Sequence, residues 1–384
     1  MKPLSVLTIF GTRPEAIKMA PVVRQLSLAE ERACVHVCVT GQHRQMLDQV
    51  LQLFAITPDV DFNIMQANQT TNYVASQVFQ NLDSLLESLQ PDWVLVQGDT
   101  TTVMAASIAA HNRRVKVGHV EAGLRTYDRA NPFPEEMNRV VVDHVSDVLF
   151  APTPRACQNL LREGIARENI FITGNTVVDA LDWVVSQPLP PDVGELLTRL
   201  DVSGKRSAKS LVLVTAHRRE NFGEPIRRIC LALRKLAARG DIQVVYPVHM
   251  NPNIHEPVYA LLENAPGVTL LPPLDYLALV HLMRHSRLVL TDSGGIQEEA
   301  PTFGVPVLVL RETTERPEAV EAGTARVVGT DTRQILAAAK NLLEDPQAYA
   351  AMSQAANPFG DGLAARRIAD VLLDGRCQEF GSAP

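Results

Sequence analysis

Short apolar runs recur along the chain, and a turn and an amphipathic stretch follow each of them. The runs in the first half are LSVLTIF, CVHVCV, DWVLVQ and KVGHV, and those in the second half are SLVLVTA, IQVVYPV, GVTLL, RLVLT and VPVLVL. Runs of strand length that alternate with helical patterns predict βαβ units and parallel sheets. The predicted fold class is therefore α/β.

A proline-rich segment separates the two sets of runs. At 384 residues the chain is longer than one hydrophobic core usually organises, so two domains are expected. Three prolines within residues 188–191 precede a polar stretch, which is typical of a linker. We therefore predict a first domain over residues 1–187 and a second over residues 188–360. The helical pattern within residues 361–384 is expected to pack back on the first domain.

Charge and cysteine content limit the possible partners. Lysine and arginine number 36 and aspartate and glutamate 43, so the net charge is −7, which leaves no general basic face for nucleic acid or an acidic membrane. The N-terminal apolar run is too short for a signal peptide, and no apolar stretch approaches the roughly 20 residues of a membrane span. Five scattered cysteines without a CxxC pair favour a reducing compartment. We expect a cytoplasmic protein without membrane insertion or a nucleic-acid partner.

The residues directly after each strand are the candidate ligand site, because open parallel sheets bind ligands beyond the carboxyl ends of their strands. After the first run, Gly11 permits a tight turn, and Arg13 and Lys18 bring two cations to a helix N-terminus, which favours anions. This pattern predicts an anion site. The alternative is an ordinary helix on which Glu15 and Lys18 form a surface pair.

Two carboxylates follow neighbouring runs of the first half. Asp99 comes after DWVLVQ and Glu121 after KVGHV, and carboxylates in such places are candidates for acid/base work or for binding sugar hydroxyls. For Asp99 alone, the alternative is an N-cap of the following helix. Glu135 and Arg139, four residues apart on the next helix, either form an ordinary i,i+4 ion pair or hold a charged carboxylate at the edge of the site.

The second half carries charged and small residues in the same kind of place. His217 follows SLVLVTA, and a histidine there can titrate near neutrality. RLVLT leads into a turn with Ser293, Gly294 and Gly295, whose backbone amides can approach a diphosphate at a helix start. Arg316 follows the next strand and can supply a cation to the same anion.

Several common metal-binding, nucleotide-binding and catalytic motifs do not occur in the sequence. His281 and His285 are four apart on a helix, but neither a third ligand nor an HExxH motif accompanies them, so no metal site is expected. The sequence has no GxGxxG, no GxxxxGK[ST] and no GxSxG, which argues against a conventional dinucleotide fingerprint, a P-loop and a nucleophile elbow.

Eight motifs occur in order within residues 4–320: GTRPEAIKMAP, GQHRQML, VQGDTTT, GHVEAGLRT, PFPEEMNR, LVTAHRREN, TDSGGIQEEAP and GVPVLVLRETTERPE. Together they resemble the motifs of the non-hydrolysing UDP-N-acetylglucosamine 2-epimerases. The resemblance implies two Rossmann-like domains that face a central cleft, as in the glycosyltransferase-B fold, with UDP bound by the second domain. It also implies a homodimer, no cofactor, and interconversion of UDP-N-acetylglucosamine with UDP-N-acetylmannosamine for cell-surface polysaccharide.

Motif by motif, the resemblance assigns two groups of residues. Those that resemble the catalytic set are Asp99, Glu121, Glu135, Arg139 and His217. Those that resemble substrate or UDP contacts are Arg13, Lys18, Asp99, Glu121, His217, Leu274, Leu279, Ser293, Gly294, Gly295, Glu299 and Arg316. Leu274 and Leu279 stand where some relatives carry a polar and an aromatic residue, so contacts there are expected through the backbone or apolar packing.

Some bacterial members of that family bind a second UDP-N-acetylglucosamine as an activator beside the active site. The corresponding allosteric candidates are Gln42, His43, Arg219 and His249. Residues 65–70 lack the arginine expected of regulated relatives, which argues against activation here.

The implied reaction eliminates UDP to give 2-acetamidoglucal and adds it back after carbon 2 is reprotonated from the other face. Asp99, Glu121 and Glu135 are the candidates for proton transfer, and the sequence does not assign acid and base. Three alternative functions stay open: a glycosyltransferase of the same architecture, an epimerase for a more oxidised or diamino UDP-sugar, and a non-catalytic nucleotide-sugar sensor.

Overall fold

The computed structural model describes residues 2–41, 44–66, 68–202 and 209–382. The chain divides into two compact units: unit 1 comprises Met1–Trp183 and Phe359–Pro384, and unit 2 comprises Val184–Pro358. Each unit contains one parallel sheet with connecting helices, so the predicted α/β class with two Rossmann-like domains is confirmed. No helix in the described part of the chain is long and apolar enough to cross a membrane.

Both sheets are entirely parallel. In unit 1 the strands are β1 (Leu4–Phe10), β2 (Ala33–Val39), β3 (Val60–Asp61), β4 (Trp93–Gln97), β5 (Lys116–Val120), β6 (Val148–Ala151) and β7 (Ile170–Ile172), in the order β3-β2-β1-β4-β5-β6-β7. In unit 2 they are β8 (Ser210–Thr215), β9 (Ile242–Pro247), β10 (Val268–Leu271), β11 (Leu288–Thr291), β12 (Val307–Val309) and β13 (Ala325–Val327), in the order β10-β9-β8-β11-β12-β13.

Helices connect the strands. They are α1 (Arg13–Ser27), α2 (Arg44–Leu53), α3 (Thr71–Leu89), α4 (Thr101–Asn112), α5 (Glu135–Val145), α6 (Pro154–Arg162), α7 (Thr176–Ser186), α8 (Pro191–Arg199), α9 (Glu224–Ala237), α10 (Pro252–Leu262), α11 (Tyr276–Arg284), α12 (Gly294–Glu299), α13 (Pro317–Glu321), α14 (Thr332–Glu344), α15 (Pro346–Ser353) and α16 (Ala364–Asp374). Short 3-10 helices lie at Arg167–Asn169, Arg219–Asn221 and Ala300–Phe303.

The first strand of each unit lies near the middle of its sheet. β1 pairs with β2 on one side and β4 on the other, and β8 pairs with β9 and β11 in the same way. Nearly every residue of β1 and β8 is buried, as expected of parallel strands that are covered on both faces. The strand order reverses between β1 and β4 and between β8 and β11, and such switch points are where open α/β sheets bind ligands.

Part of the predicted linker is a helix. α8 begins at Pro191, a residue whose fixed φ suits the first helical position. Val193, Leu196 and Leu197 follow at helical spacing and are buried. The linker prediction is therefore wrong for this stretch, because the apolar side chains form a buried stripe.

The chain returns to unit 1 after unit 2. α16 packs against α1. The Asp179 carboxylate accepts the backbone N–H groups of Ala364 and Ala365, at 3.2 and 2.8 Å, at the start of this helix. Arg32 donates to Asp374 at its end, at 2.6 Å. The C-terminal helix is thus bound at both ends to unit 1.

Candidate functional site

A buried carboxylate holds the turn after β1. Glu15 is 2% exposed and accepts the backbone N–H groups of Gly11 at 2.6 Å and Thr12 at 2.8 Å. The Thr100 hydroxyl, from the turn after β4, donates to the same carboxylate. Burial raises the pKa of Glu15, and the hydrogen bonds from Thr100, Gly11 and Thr12 oppose this shift. The alternative of a Glu15–Lys18 surface pair is wrong, because Glu15 is buried and bonded to these two turns.

Lys18 pairs with Glu121 instead. The two side chains form a partly buried ion pair, and the Asn175 side-chain amide donates to the Glu121 carboxylate at 2.8 Å. Glu121 has a φ of 69°, in the left-handed region that strains a residue with a side chain. Such strained residues persist where the surrounding structure holds them, and here a cation and an amide do so.

Asp99 is held by α5. Arg139 donates to one oxygen of the Asp99 carboxylate through two nitrogens, at 2.7 and 3.0 Å. Asn138 donates to the backbone carbonyl of Asp99 at 2.8 Å. The N-cap of α4 is Thr100, whose hydroxyl accepts the N–H of Val103. The interpretation of Asp99 as an N-cap is therefore wrong.

Glu135 is the first residue of α5. The Arg139 guanidinium pairs with Glu136 at 3.2 Å and with the carboxylate after β4, so the expected Glu135–Arg139 ion pair is wrong. Glu136 is buried and also accepts the backbone N–H groups of Thr126 and Tyr127. Within the described residues, the half-buried Glu135 side chain makes no hydrogen bond or ion pair. Glu136 therefore has the anchoring role, and Glu135 is left for other contacts.

The three candidate carboxylates of unit 1 lie on segments that are bonded to one another. The backbone N–H of Gly98 donates to the carbonyl of Val120 at 3.1 Å. This bond ties the Asp99 turn to the end of β5, where Glu121 follows. α5, which begins at Glu135, binds the same turn from the other side.

His119 links the turn after β4 to α5. It is fully buried, with Nε2 2.8 Å from the carbonyl oxygen of Gly98 and Nδ1 2.5 Å from the carboxylate of Asp143. Asp143 also pairs with Arg125 at 2.7 Å and accepts the N–H of Gly123 at 3.1 Å. Burial alone raises the pKa of Asp143, but the charges and hydrogen bonds of His119 and Arg125 outweigh it, so the pKa is lowered.

In unit 2 a buried carboxylate holds the turn after β8. Asp292, at the end of β11, accepts the backbone N–H groups of His217 at 2.7 Å and Arg218 at 2.8 Å, and the side-chain amide of Asn221 at 2.8 Å. The His217 imidazole is 41% exposed and stacks on His249 with ring centroids 5.5 Å apart. The backbone of His217 is thus fixed while its ring faces solvent.

The small-residue turn at the start of α12 contains Ser293, Gly294 and Gly295. Neither glycine has a positive φ, so the backbone conformation does not require glycine here. A β-carbon at Gly294 would lie 3.8 Å from the Arg218 guanidinium and 3.9 Å from that of Arg316. Two guanidinium groups therefore lie beside this turn, an arrangement that suits an anion.

A buried carboxylate and a backbone carbonyl orient Arg316. Its Nε donates to Glu298, which is almost fully buried, and its Nη1 donates to the carbonyl of Glu315 at 3.1 Å. Burial alone raises the pKa of Glu315, but the charges of three neighbouring arginines outweigh it and lower the pKa. Glu298 therefore fixes the direction in which Arg316 points.

The four remaining predicted contact residues lie on or next to helices and are half-buried or buried. Arg13, the first residue of α1, is half-buried and makes no hydrogen bond or ion pair with another described residue. Leu274 precedes α11 and Leu279 lies on it, and both are half-buried. Glu299 ends α12 and is buried.

The structure describes two of the four allosteric candidates, Arg219 and His249. Arg219 is exposed at the start of a 3-10 helix after β8. His249 is exposed and contacts His217 by ring stacking. Gln42 and His43 lie outside the described residues.

Across the part of the chain that the structure describes, no three His, Cys, Asp or Glu side chains are grouped in a way that could hold a metal ion. All five cysteines are free, and burial raises the pKa of Cys230 to about 12 and, with weaker charge effects, that of Cys377 to about 11. Thiols with raised pKa values are poor nucleophiles.

Several residues that hold the site were missed from the sequence. They are buried polar side chains that bind turns or site carboxylates: Glu15, Asn175, Asn221, Asp292 and Glu298. Asp292 directly follows an apolar run, so its position after a strand was an available signal. Glu15 also had a signal, because Thr12 and Glu15 have the spacing of a capping box. Asn221 and Glu298 carry no comparable signal, because their partners lie in other segments.

The chain matches the family model described as UDP-N-acetylglucosamine 2-epimerase over residues 27–373. It is 52% identical over 370 residues to the UDP-N-acetylglucosamine 2-epimerase of Salmonella typhimurium, an alignment that covers 96% of this chain and 98% of that protein. With the protein of that name from Escherichia coli K12 it is 52% identical over 374 residues, which is 97% of this chain and 99% of that one.

A solved structure resembles the whole chain as well. The crystal structure of UDP-GlcNAc 2-epimerase from Neisseria meningitidis, bound to UDP-GlcNAc, has a TM-score of 0.86 and 45% identity, and the match covers 96% of this chain and 100% of that one. Sequence and structure thus agree over both units with the resemblance carried by the eight motifs. The chain therefore belongs to the UDP-N-acetylglucosamine 2-epimerase family.

Proposed function

We propose that this protein interconverts UDP-N-acetylglucosamine and UDP-N-acetylmannosamine by inverting carbon 2 of the sugar. The observation that carries the proposal is a pair of carboxylates at neighbouring strand ends: Asp99, held by Arg139, and Glu121, held by Lys18. Two fixed carboxylates suit the removal and return of a proton. The family supports the choice of substrate, since the relative from Neisseria meningitidis binds UDP-GlcNAc.

The reaction proceeds by elimination and re-addition of UDP. Carbon 2 is not adjacent to a carbonyl, so loss of its proton alone would give no stabilised enolate. A base takes the carbon 2 proton, the C–H electron pair forms the C1=C2 bond of 2-acetamidoglucal, and the C1–O bond breaks with its electrons going to UDP. Delivery of a proton to the other face of carbon 2 and attack of the UDP oxygen on carbon 1 then complete the inversion without hydrolysis.

Unit 1 supplies the proton transfer in this proposal. Asp99, Glu121 and Glu135 are the candidates, and two of them acting on opposite faces of the sugar suffice. Asp99 and Glu121 are each oriented by a cation, while Glu135 stands at a helix N-terminus, which favours its negative charge. Acid and base are not distinguished among the three.

Unit 2 supplies the stabilisation of the leaving diphosphate. The Ser293–Gly295 turn, flanked by the Arg218 and Arg316 guanidinium groups, offers amides and positive charge to a developing anion. His217 and Glu299 complete the proposed UDP contacts on this unit, and Leu274 and Leu279 are the proposed neighbours of the uracil ring. Arg13 and Lys18 are the proposed cationic contacts from unit 1.

The wider setting follows from the family resemblance. We propose a homodimer in the cytoplasm whose product supplies N-acetylmannosamine units for cell-surface polysaccharide. Native mass measurement tests the dimer. Loss of mannosamine-containing polymer in a deletion strain, restored by the intact gene, tests the biological role.

The decisive experiment is incubation with UDP-N-acetylglucosamine in D₂O, without any sugar acceptor. We expect UDP-N-acetylmannosamine to form and deuterium to enter at carbon 2 of both sugar nucleotides, because the proton returned to carbon 2 comes from solvent. NMR of the recovered sugars measures both results. Inversion without any deuterium at carbon 2 would exclude the elimination mechanism.

The same assay separates the alternatives. A glycosyltransferase or a nucleotide-sugar sensor would bind UDP but give neither epimer nor deuterium incorporation. An epimerase for a more oxidised or diamino UDP-sugar would leave UDP-N-acetylglucosamine unchanged and invert its own substrate when that is supplied.

A further inference from the structure

A buried histidine connects the candidate carboxylate Asp99 to the interior of unit 1. His119 lies on β5, fully buried, and contacts two acceptors. One is the backbone carbonyl of Gly98, the residue before Asp99, at 2.8 Å from Nε2. The other is the carboxylate of Asp143 on α5, at 2.5 Å from Nδ1. The ring therefore joins the turn after β4 to the helix that also carries the Arg139 partner of Asp99.

Both acceptors are themselves fixed. A carbonyl oxygen and a carboxylate oxygen both accept hydrogen bonds, so each ring nitrogen of His119 faces an acceptor. Asp143 is held on its other oxygen by Arg125 at 2.7 Å and by the N–H of Gly123 at 3.1 Å. Asp143 thus fixes the position of the imidazole, and the imidazole in turn fixes the carbonyl of Gly98.

Gly98 links the position of His119 to the conformation of Asp99. Gly98 has a φ of 84°, so the chain turns sharply directly before Asp99. Its N–H donates to the carbonyl of Val120 and its carbonyl accepts from His119, so the peptide groups on both sides of its α-carbon are fixed. Removing the bond from His119 leaves the carbonyl of the peptide that leads into Asp99 without this anchor, while the Gly98 N–H keeps its bond to Val120.

We infer that His119 is a positioning residue, which sets the direction of the Asp99 carboxylate by holding the Gly98 carbonyl. The inference rests on the proposed function, in which Asp99 acts on the sugar. His119 does not reach the reacting atoms in this account. Its contribution is pre-organisation, and misplacement of a reacting group by about 1 Å can cost about 100-fold in activity.

The competing interpretation is that His119 is only half of a buried ion pair with Asp143. Two substitutions separate the interpretations, because the side-chain amide of asparagine or glutamine can replace one ring nitrogen of His119 but not the other. The amide nitrogen of asparagine stands where Nδ1 stands, and that of glutamine stands where Nε2 stands. His119→Asn thus keeps the bond to Asp143 and loses Gly98, whereas His119→Gln keeps the bond to Gly98 and loses Asp143.

The experiment compares kcat, KM for UDP-N-acetylglucosamine and thermal midpoint for H119N, H119Q and wild type. If His119 positions Asp99, H119N loses about 100-fold in kcat with KM changed by less than about twofold, and H119Q keeps at least about tenfold more turnover than H119N. If the ion pair alone matters, the order reverses, and turnover follows the thermal midpoint.

Asp147→Asn is the matched control. The Asp147 carboxylate accepts the N–H of Val117 at 2.8 Å and so holds the opposite end of the same strand, β5. We expect D147N to lower the thermal midpoint without lowering kcat, which separates a loss of stability from a loss of positioning.

Each outcome decides the inference. Equal turnover in H119N and H119Q, or lower turnover in H119Q, overturns it. If H119N does not fold, a folded H119Q with a 100-fold lower kcat and unchanged KM overturns it as well. Failure of the wild type to produce the epimer is a different result, which rejects the proposed function.

Discussion

The turn after the first strand is held by a buried carboxylate in both units, but the carboxylate comes from different places. In unit 1, Glu15 reaches back from α1 to two consecutive N–H groups after β1. In unit 2, Asp292 reaches across from the end of β11 to two consecutive N–H groups after β8. β4 and β11 occupy equivalent places beside the first strand of their sheets.

This difference decides what each sheet edge presents. Because Glu15 anchors the first turn of unit 1, Asp99 after β4 is available as an oriented carboxylate. In unit 2 the aspartate after β11 is used as the anchor, and the groups left at the edge are His217 and the Ser293–Gly295 turn with its neighbouring arginines. The same topology therefore gives an acidic edge in one unit and, in the other, an edge with arginine side chains beside a small-residue turn, which we propose as the anion-binding edge.

The largest expected effect comes from removing the charge at the acidic edge. Asp99→Asn should lower kcat by about 10²- to 10⁴-fold, since a group that transfers a proton in the transition state contributes that much. UDP affinity should change by less than about twofold, because we propose that unit 2 holds the UDP. Steady-state kinetics and calorimetric titration with UDP measure the two quantities, and Glu135→Gln is examined in the same way.

Asp92→Asn is the control for that substitution. Asp92 lies at the other end of β4, where its carboxylate accepts the N–H of Ser5 at 2.8 Å. D92N should keep the turnover of the wild type. Wild-type turnover in both D99N and E135Q would remove the assignment of chemistry to unit 1.

A smaller effect is expected at the anion-binding edge. Gly294→Ala adds a β-carbon in ordinary contact with the Arg218 and Arg316 guanidinium groups, and no positive φ opposes it. The protein should keep its thermal midpoint, while UDP affinity falls about tenfold because the added methyl group blocks close approach of a diphosphate to the backbone. Calorimetric titration with UDP gives the affinity.

Gly194→Ala provides a comparison within the same unit. Gly194 lies in α8, where a β-carbon would lie 3.4 Å from Leu189. Alanine favours the helix there, so G194A should be as stable as the wild type or more so, with UDP affinity unchanged. A UDP affinity for G294A equal to that of G194A would contradict the assignment of the diphosphate to this turn.

The smallest effect concerns the Glu15 anchor itself. Burial raises the native pKa of Glu15, so the native protein binds this proton more tightly than the unfolded chain does. The resulting stability is complete below the pKa of glutamate in the unfolded chain, about 4.3, and is lost as the pH rises through the native pKa. Relative to Glu15→Gln, which does not titrate, the wild type should lose at most about 1.4 kcal/mol of unfolding free energy per pH unit.

Urea unfolding of both proteins from about pH 4 to about pH 7 measures this difference. Glu30→Gln, an exposed substitution just beyond α1, is the control and should differ from the wild type by a constant amount. A difference between wild type and E15Q that does not vary with pH would mean that burial does not raise the pKa of Glu15 in the native protein.

The fold was predictable where strands are long and buried on both faces. β1, β4, β8 and β9 read as continuous apolar runs, and the alternation with helices gave the α/β class. β3, β7 and β13 have only two or three residues, so they carry no run that stands out from a loop. α8 was assigned to a linker because its prolines and polar residues outweighed the three buried apolar positions in the pattern.

The sequence predicted where the candidate site residues lie, but not which side chains hold them. Asp99, Glu121, His217 and Ser293 each follow a strand, and parallel strands bring such residues to one edge of a sheet. Their partners are set by tertiary packing: Arg139 lies 40 residues from Asp99, and Lys18 lies 103 residues from Glu121. No local pattern distinguishes Glu136, which anchors, from Glu135, which does not.

The return of the chain to unit 1 has a consequence for the order in which the protein folds during translation. The ribosome completes all of unit 2 before it makes Phe359–Pro384, which belongs to unit 1. The carbonyl of Phe359 accepts the N–H of Asn175, whose side chain holds Glu121. A nascent chain can therefore complete unit 2 early, whereas the segment that supports the carboxylate edge of unit 1 is made last.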